Sequence, residues 1–462
     1  MENSLFKIEL ISKIIKDYVT DINRLSSYDL SKIKIYRDKL FRRLVKYAYS
    51  IPLYKDKYQA AGIHPSDIRG IEDIEKLPII NREDIIRYFP KGIIAPNSEK
   101  NSVLVNTSGS TRNPVSYYSD QYTLMKTLII YVRELKYYGI KWNKSRISMI
   151  ANFYSHTGPT RYFDSGAMPT LKPFFSLNNF QLLNCDDDLE EMIKKIDSFK
   201  PEIIAGFPGP LRHMAILKRK GYGKNVNPKC ILSSGGLLDE YDKKYIEDTF
   251  NARVYNLFGA TQSGPISFEC NDGNFHINSD FIYLEAVDKS DNVLDKGKSG
   301  RLVLTRIYGQ GTPLIRYTGM EDIVTLQEGT CTCGISTELI KQINGRIKES
   351  IVLPSGKVIF ADALKTLPGR VMYKLKTDKI HFIQVVQESL DKVEVLVVIK
   401  DDERDAEPPV DQFLAELKKS YEKLFHSEVE VDVKEAQKLR CEEKNENSTP
   451  GVLSKIDVYK YL

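Results

Sequence analysis

Between residues 147 and 258 short apolar runs alternate with amphipathic helical spacing, and that alternation leaves few folds open. The runs at 147–151, 202–205, 230–233 and 253–258 are short and rich in β-branched or aromatic residues. Helical spacing fills 189–199, 211–220 and 241–250. Strands separated by helices of this length predict a mainly parallel sheet with crossover helices. In such a sheet ligands sit beyond the carboxyl ends of the strands. Two of those ends carry small residues, Ser234-Gly235-Gly236 and Phe258-Gly259-Ala260-Thr261-Gln262. The strand at 147–151 runs into Asn152-Phe153-Tyr154-Ser155-His156, a polar loop with aromatics.

Upstream, the apolar Val103-Leu104-Val105 feeds Asn106-Thr107-Ser108-Gly109-Ser110-Thr111, with Arg112 and Pro114 closing the loop. Backbone N–H groups and hydroxyls on a flexible turn can converge on an anion, and a nucleotide's phosphates suit it. No Gly-Lys-Ser/Thr follows at Walker spacing, so this is not a P-loop. Residues 1–100 read as helices with loops and are assigned to scaffolding; Asn81-Arg82-Glu83-Asp84 resembles a helix cap. After residue 349 the pattern predicts a hairpin at 351–360, strands at 381–386, 393–399 and 429–433, and a helix at 410–425. That is a small α+β unit of a size able to move on its own.

The chain has 462 residues, 42% of them hydrophobic, enough for more than one core. A net charge of +5, scattered along the chain, favours anionic small molecules over nucleic acid. No apolar run reaches the ~18 residues of a membrane span, and the first residues predict an amphipathic helix, not a signal peptide. Six cysteines without a signal predict a cytoplasmic protein with thiols or a metal, not disulfides. Cys270-x5-His276 and Cys331-x-Cys333 together make a Cys3His set of the type that structural zinc prefers. Cys185, Cys230 and Cys441 read as ordinary.

The order T-S-G-S-T at 107–111, F-G-A-T-Q at 258–262, R-Y-T-G-M-E-D at 316–322 and N-G-R at 344–346 resembles the adenylate-forming superfamily. Pro313-Leu-Ile-Arg-Tyr317, Phe268-Glu-Cys270 and Phe382-Ile-Gln-Val-Val-Gln387 make the likeness greatest to its phenylacetate–CoA ligase and capsular-polysaccharide-type branch. The resemblance implies an α/β fold: a large N-terminal domain with mixed or parallel sheets, residues 1–347, and a small mobile α+β domain, residues 348–462. It implies ATP-dependent activation of a carboxylic acid, by default an aromatic one, as acyl-AMP. Transfer to coenzyme A follows, with a carrier protein or an amine as the other acceptors; a homodimer is allowed. The rival reading is a nucleotide-binding protein that has lost catalysis.

Residue by residue, the resemblance places phosphates on Thr107, Ser108, Gly109, Ser110 and Thr111. It places adenine against Ser234, Gly235, Gly236, Phe258 and Gly259, and a phosphate on Thr261. Phe153, Tyr154 and His156 fall at the acyl pocket. A ribose-binding carboxylate is Asp322, with Glu321 as the alternative; Arg346 contacts ribose or phosphate, and Lys348 or Glu349 is the hinge. Some relatives hold a metal where Cys270, His276, Cys331 and Cys333 fall. Three departures stand out. Gln262 replaces the usual Mg²⁺-binding glutamate, leaving Glu269 or water to serve. Gly236 stands where relatives often have glutamate. Val452 follows Gly451 where relatives carry the catalytic lysine, which leaves Lys455 as the candidate.

Overall fold

The computed structural model describes residues 2–106, 115–153, 178–440 and 451–462. The main sheet has 12 strands. Its first half is parallel: Phe180–Asn184, Ile147–Ala151, Ile203–Gly206, Cys230–Ser234 and Arg253–Ala260 lie side by side. The helices Leu189–Phe199, Pro208–Arg219 and Glu240–Phe250 make the crossovers. They bury Met192, Ile193, Ile196, Leu211, Met214 and Ile246 against the sheet. Alternation in the sequence and the crossovers agree here.

Beyond Arg253–Ala260 the sheet turns antiparallel through Gly264–Glu269, Phe275–Ile277, Leu339–Arg346, Asp322–Gln327, Ser299–Arg306 and Ile282–Val287. The sheet as a whole is therefore mixed, and the expected parallel part is confined to the strands between residues 147 and 260. The physical reason is connection length. The links after residue 260 are turns too short to hold a crossover helix, and antiparallel pairing needs none.

Residues 41–95 pack onto this antiparallel half. Phe41, Tyr54, Tyr58 and Ile85 share a core with Phe281, Leu304 and Ile315. Asn81 caps the helix Arg82–Tyr88, its side chain accepting from Asp84 N while Asp84 returns the bond. Arg316 has φ 48° and is buried. Its guanidinium donates to both Glu285 oxygens at 2.8 and 3.2 Å and to the Leu77 carbonyl at 2.8 Å. The arginine of the R-Y-T-G stretch is therefore a strut beneath residues 318–322.

The N-terminal helix Glu2–Asp21 lies along Gln121–Tyr137. Tyr122 OH donates to Asp17 at 2.7 Å, and buried Lys126 lies 3.1 Å from Asp17 and also pairs with Asp21. Asp280 joins Arg24 at 3.1 Å to Arg133 at 2.8 Å, both buried. Charges removed from water survive only when paired like this.

After the turn Ile347–Glu349, a second core forms from Leu364, Val371, Val385, Val395, Phe413, Tyr421 and Val452. Its four-stranded sheet runs Glu430–Glu435, Lys392–Ile399, Ile380–Ser389, Val452–Ser454. The helices Ala361–Leu375 and Val410–Leu424 cover it. The first of these helices lies where no element was expected. This unit touches the crossover helices through Arg212–Asp378 at 2.6 Å and Arg370 Nε donating to Tyr241 OH at 3.1 Å. Among the described residues no helix is long and apolar enough to cross a membrane.

Candidate active site

A cavity of about 970 Å³ opens where the parallel strands end. Ser234, Gly235, Gly236, Phe258, Gly259, Thr261, Gln262, Asp322, Arg346 and Glu349, all singled out in the sequence, line it together. They come from separate segments spread over more than a hundred residues, from Ser234 to Glu349, and only the sheet brings them into one wall.

The two small-residue loops have local reasons for their composition. Gly235 has φ 79°, and a Cβ there would lie 2.3 Å from a Phe207 ring carbon. Only glycine fits such a turn. The turn after Arg253–Ala260 is pinned through its backbone. The Tyr117 hydroxyl donates to the Thr261 carbonyl, and Arg306 Nη1 donates to the Gln262 carbonyl at 2.8 Å. A hydroxyl and an amide are thereby held on the cavity wall without using their side chains as struts.

Asp322 and Arg346 close the opposite side. Burial pushes the Asp322 carboxyl up to about 7, with Arg346 opposing and Glu349 and Glu321 adding to the rise. Its side chain keeps some surface on the cavity, yet surrounding protein atoms withdraw it from bulk water. Glu321 also lines the cavity and has φ 59°. Lys348 lies off the cavity wall and reaches Glu321 at 3.2 Å, while Glu349 holds Lys365 at 2.6 Å.

Several sequence readings fall elsewhere. Lys455 is absent from the wall; its side chain is 70% exposed and paired with Glu388. Glu269 is also off the wall, its carboxylate engaged by Lys243 and by Asn256 N at 2.9 Å. It is not placed to stand in for the missing glutamate at Gln262. Asn152 lines the cavity, whereas Phe153, half-buried beside it, does not. Thr107, Ser108, Gly109, Ser110, Thr111, Tyr154 and His156 lie outside the described residues.

Other wall residues were not anticipated. Ile14, Ile15 and Tyr18 come from the N-terminal helix, assigned from sequence to scaffolding alone; Tyr131, Trp142 and Phe180 extend the same apolar wall. Arg82 and Lys365 add cations. An amphipathic helix carries no local mark of which apolar residues face a ligand rather than a core. Lys365 sits in a helix that the sequence reading passed over.

Away from the cavity, the ligand atoms of Cys270, His276, Cys331 and Cys333 all lie within 4.8 Å of one another. Cys270 Sγ is 3.6 Å from Cys331 Sγ, and Cys333 Sγ is 3.2 Å from His276 Nε2. His276 Nδ1 contacts Thr337 Oγ1 at 2.8 Å, which orients Nε2 toward the sulfurs. Burial pushes His276 down to about 4, so the ring is neutral, as a ligand must be. Sulfur separations near 3.6 Å match a tetrahedron with ~2.3 Å zinc–sulfur bonds.

No family model matches the chain. It is similar to a phenylacetate–coenzyme A ligase of Thermus thermophilus, 25% identical over 336 residues, 70% of this chain and 72% of that protein. A phenylacetate–coenzyme A ligase of Pseudomonas putida is 24% identical over 371 residues, 77% of this chain and 79% of that protein. Among solved structures, 2-hydroxyisobutyryl-CoA ligase in a postadenylation state superimposes with a TM-score of 0.76 at 18% identity. That match covers 95% of this chain and 92% of the other. The same ligase in its thioesterification state gives 0.60 at 19% identity, covering 94% and 92%.

Proposed function

We propose that the chain belongs to the phenylacetate–coenzyme A ligase-like branch of the adenylate-forming enzymes, and that it activates a carboxylic acid with ATP as acyl-AMP and passes the acyl group to coenzyme A. The observation that carries this reading is the shared wall. The glycine loops at two strand ends, the turn bearing Thr261 and Gln262, and the Asp322–Arg346 pair all face one cavity.

The division of labour follows from residue chemistry. The loop Ser234-Gly235-Gly236 and Phe258-Gly259 offer flat, close-approach surfaces for adenine. The ionised Asp322 accepts hydrogen bonds from both ribose hydroxyls. Thr261 donates a hydroxyl to a phosphate. ATP enters with its magnesium ion, toward which Gln262 offers an amide oxygen without charge. The acid's carboxylate oxygen attacks the α-phosphorus, the bond to the bridging oxygen breaks, and pyrophosphate leaves with the electron pair. Positioning and charge neutralisation do most of the work in such a transfer. The small unit then turns about Lys348–Glu349, and a thiol displaces AMP.

An aromatic acid fits the wall formed by Tyr18, Tyr131, Trp142 and Phe180. The Cys270, His276, Cys331, Cys333 cluster holds a structural zinc, since four protein ligands leave no position for a reactant.

The test is ATP–pyrophosphate exchange with phenylacetate, benzoate and 2-hydroxyisobutyrate, followed by thioester formation with and without CoA. Exchange with at least one acid and CoA-dependent thioester are expected. ATP binding without exchange for any acid would instead favour a nucleotide-binding protein, as Gln262 and Val452 allow. Transfer to a carrier phosphopantetheine but not to CoA would change only the acceptor.

A further inference from the structure

Adenylation places the acid's carboxylate against the α-phosphate, and that approach of like charges needs a cation in the cavity. Lys455 is poorly placed for it. Parallel pairing of Val452, Leu453 and Ser454 with Val385, Val386 and Gln387 sets its register, and Lys455 N donates to the Gln387 carbonyl at 3.0 Å. Val452 is buried in the small unit's core, so the residue after Gly451 points its side chain inward.

Among the described residues Lys365 is the only lysine on the cavity wall. It lies in the helix Ala361–Leu375, whose Ala361, Leu364 and Pro368 face the core. The adjacent face carries Asp362 and Lys365, three residues apart and so stacked one turn from each other. Asp362 meets Gln342 on the strand Leu339–Arg346, which turns this face toward the large unit. The lysine stem passes the start of the strand Val452–Ser454: a Cβ on Gly451 would be 3.6 Å from Lys365 Cε. Its ammonium group sits 2.6 Å from Glu349 Oε2, with only 31% of the side chain exposed.

We propose that Lys365 is the catalytic cation of the adenylation step, bridging the acid's carboxylate and the α-phosphate of ATP. This rests on the acid-activating reading above. Glu349 holds the ammonium group; phosphate oxygens of ATP replace that carboxylate in the adenylation step. The step forms a carboxylate oxygen–phosphorus bond and expels pyrophosphate without moving a proton, so the cation acts by position and charge.

The experiment compares wild type, Lys365→Met, Lys365→Arg and Lys455→Ala in ATP–pyrophosphate exchange with the three acids above. Methionine keeps the stem's packing, and thermal melting checks that each variant is folded. Lys365→Met is expected to lose exchange by about 100-fold or more in kcat, the scale for removing one transition-state charge partner. KM for ATP should change little, and arginine should restore part of the rate. Thioester formation from supplied phenylacetyl-adenylate and CoA should stay within about threefold, since no phosphate charge then needs neutralising. Equal loss in both half-reactions, a methionine variant that exchanges like wild type, or a larger loss in Lys455→Ala than in Lys365→Met would each overturn the assignment. A wild-type enzyme silent with every acid would instead remove the acid-activating reading itself.

Discussion

Asp322 and Arg346 stand directly opposite each other across the antiparallel strands Asp322–Gln327 and Leu339–Arg346, and both face the cavity. The first sits at the start of its strand and the second at the end of its own, immediately before the turn into the small unit. The proposed sugar site and the turn between the units are therefore joined through a single register pair.

If this pair holds the ribose as proposed, nucleotide binding should depend on pH. Burial holds Asp322 near 7, and the ionised form is the better acceptor for ribose hydroxyls. AMP affinity should rise with pH through about 7, by up to about tenfold per unit below that value. Asp322→Asn should bind AMP more weakly and abolish the slope; titration calorimetry from pH 5.5 to 8.5 measures both. The same shift acts on stability with the opposite sign. A carboxyl raised above its unfolded value of ~3.9 binds its proton more tightly when folded. Its stabilising contribution is complete below pH ~4 and is lost as pH rises through about 7.

Gly235→Ala should damage the nucleotide loop selectively. The added methyl meets the Phe207 ring in a backbone conformation that alanine resists. A stability loss of about 1–3 kcal/mol is expected, with a several-fold or greater loss of AMP affinity. Gly221→Ala has comparable backbone strain but open space around it, and should leave AMP affinity unchanged.

Zinc should bind stoichiometrically and structurally. Elemental analysis is expected to give one zinc per chain, and Cys331→Ser should lower both zinc content and melting temperature by several degrees. Metal removal should not change the acid preference, because the cluster lies away from the cavity. A preparation without zinc but with full stability would refute the assignment.

The N-terminal helix should tune the acid. Tyr18→Ala removes an aromatic ring from the wall, and KM for phenylacetate should rise several-fold while AMP affinity holds. Burial of one aromatic ring against a ligand carries roughly 1–3 kcal/mol. A parallel change in AMP affinity would place Tyr18 near the nucleotide instead.

Much of this was legible along the chain because it is local. Apolar periodicity marked the helices and parallel strands, Asn81 and Asp84 marked a cap, and glycine marked the strand-end loops. Cys270, His276, Cys331 and Cys333 announced themselves by side-chain chemistry, although two strands had to meet before they became one cluster. Asp322 and Arg346 could be picked out by their motifs.

What the chain order could not settle was which charges share a space. Glu269 and Gln262 are seven residues apart, yet strand pairing sends Glu269 to Lys243 and leaves Gln262 on the cavity. Lys455 and Lys365 are both ordinary lysines in sequence; parallel registration of Val452–Ser454 turns one to solvent, and helix packing delivers the other to the wall. The antiparallel half of the sheet and the helix that carries Tyr18 belong to the same class. Hydrophobic pattern and turn chemistry act over a few residues and were written in the sequence itself. The position of a charge relative to a cavity depends on register and on packing between distant elements, and only the folded chain decides it.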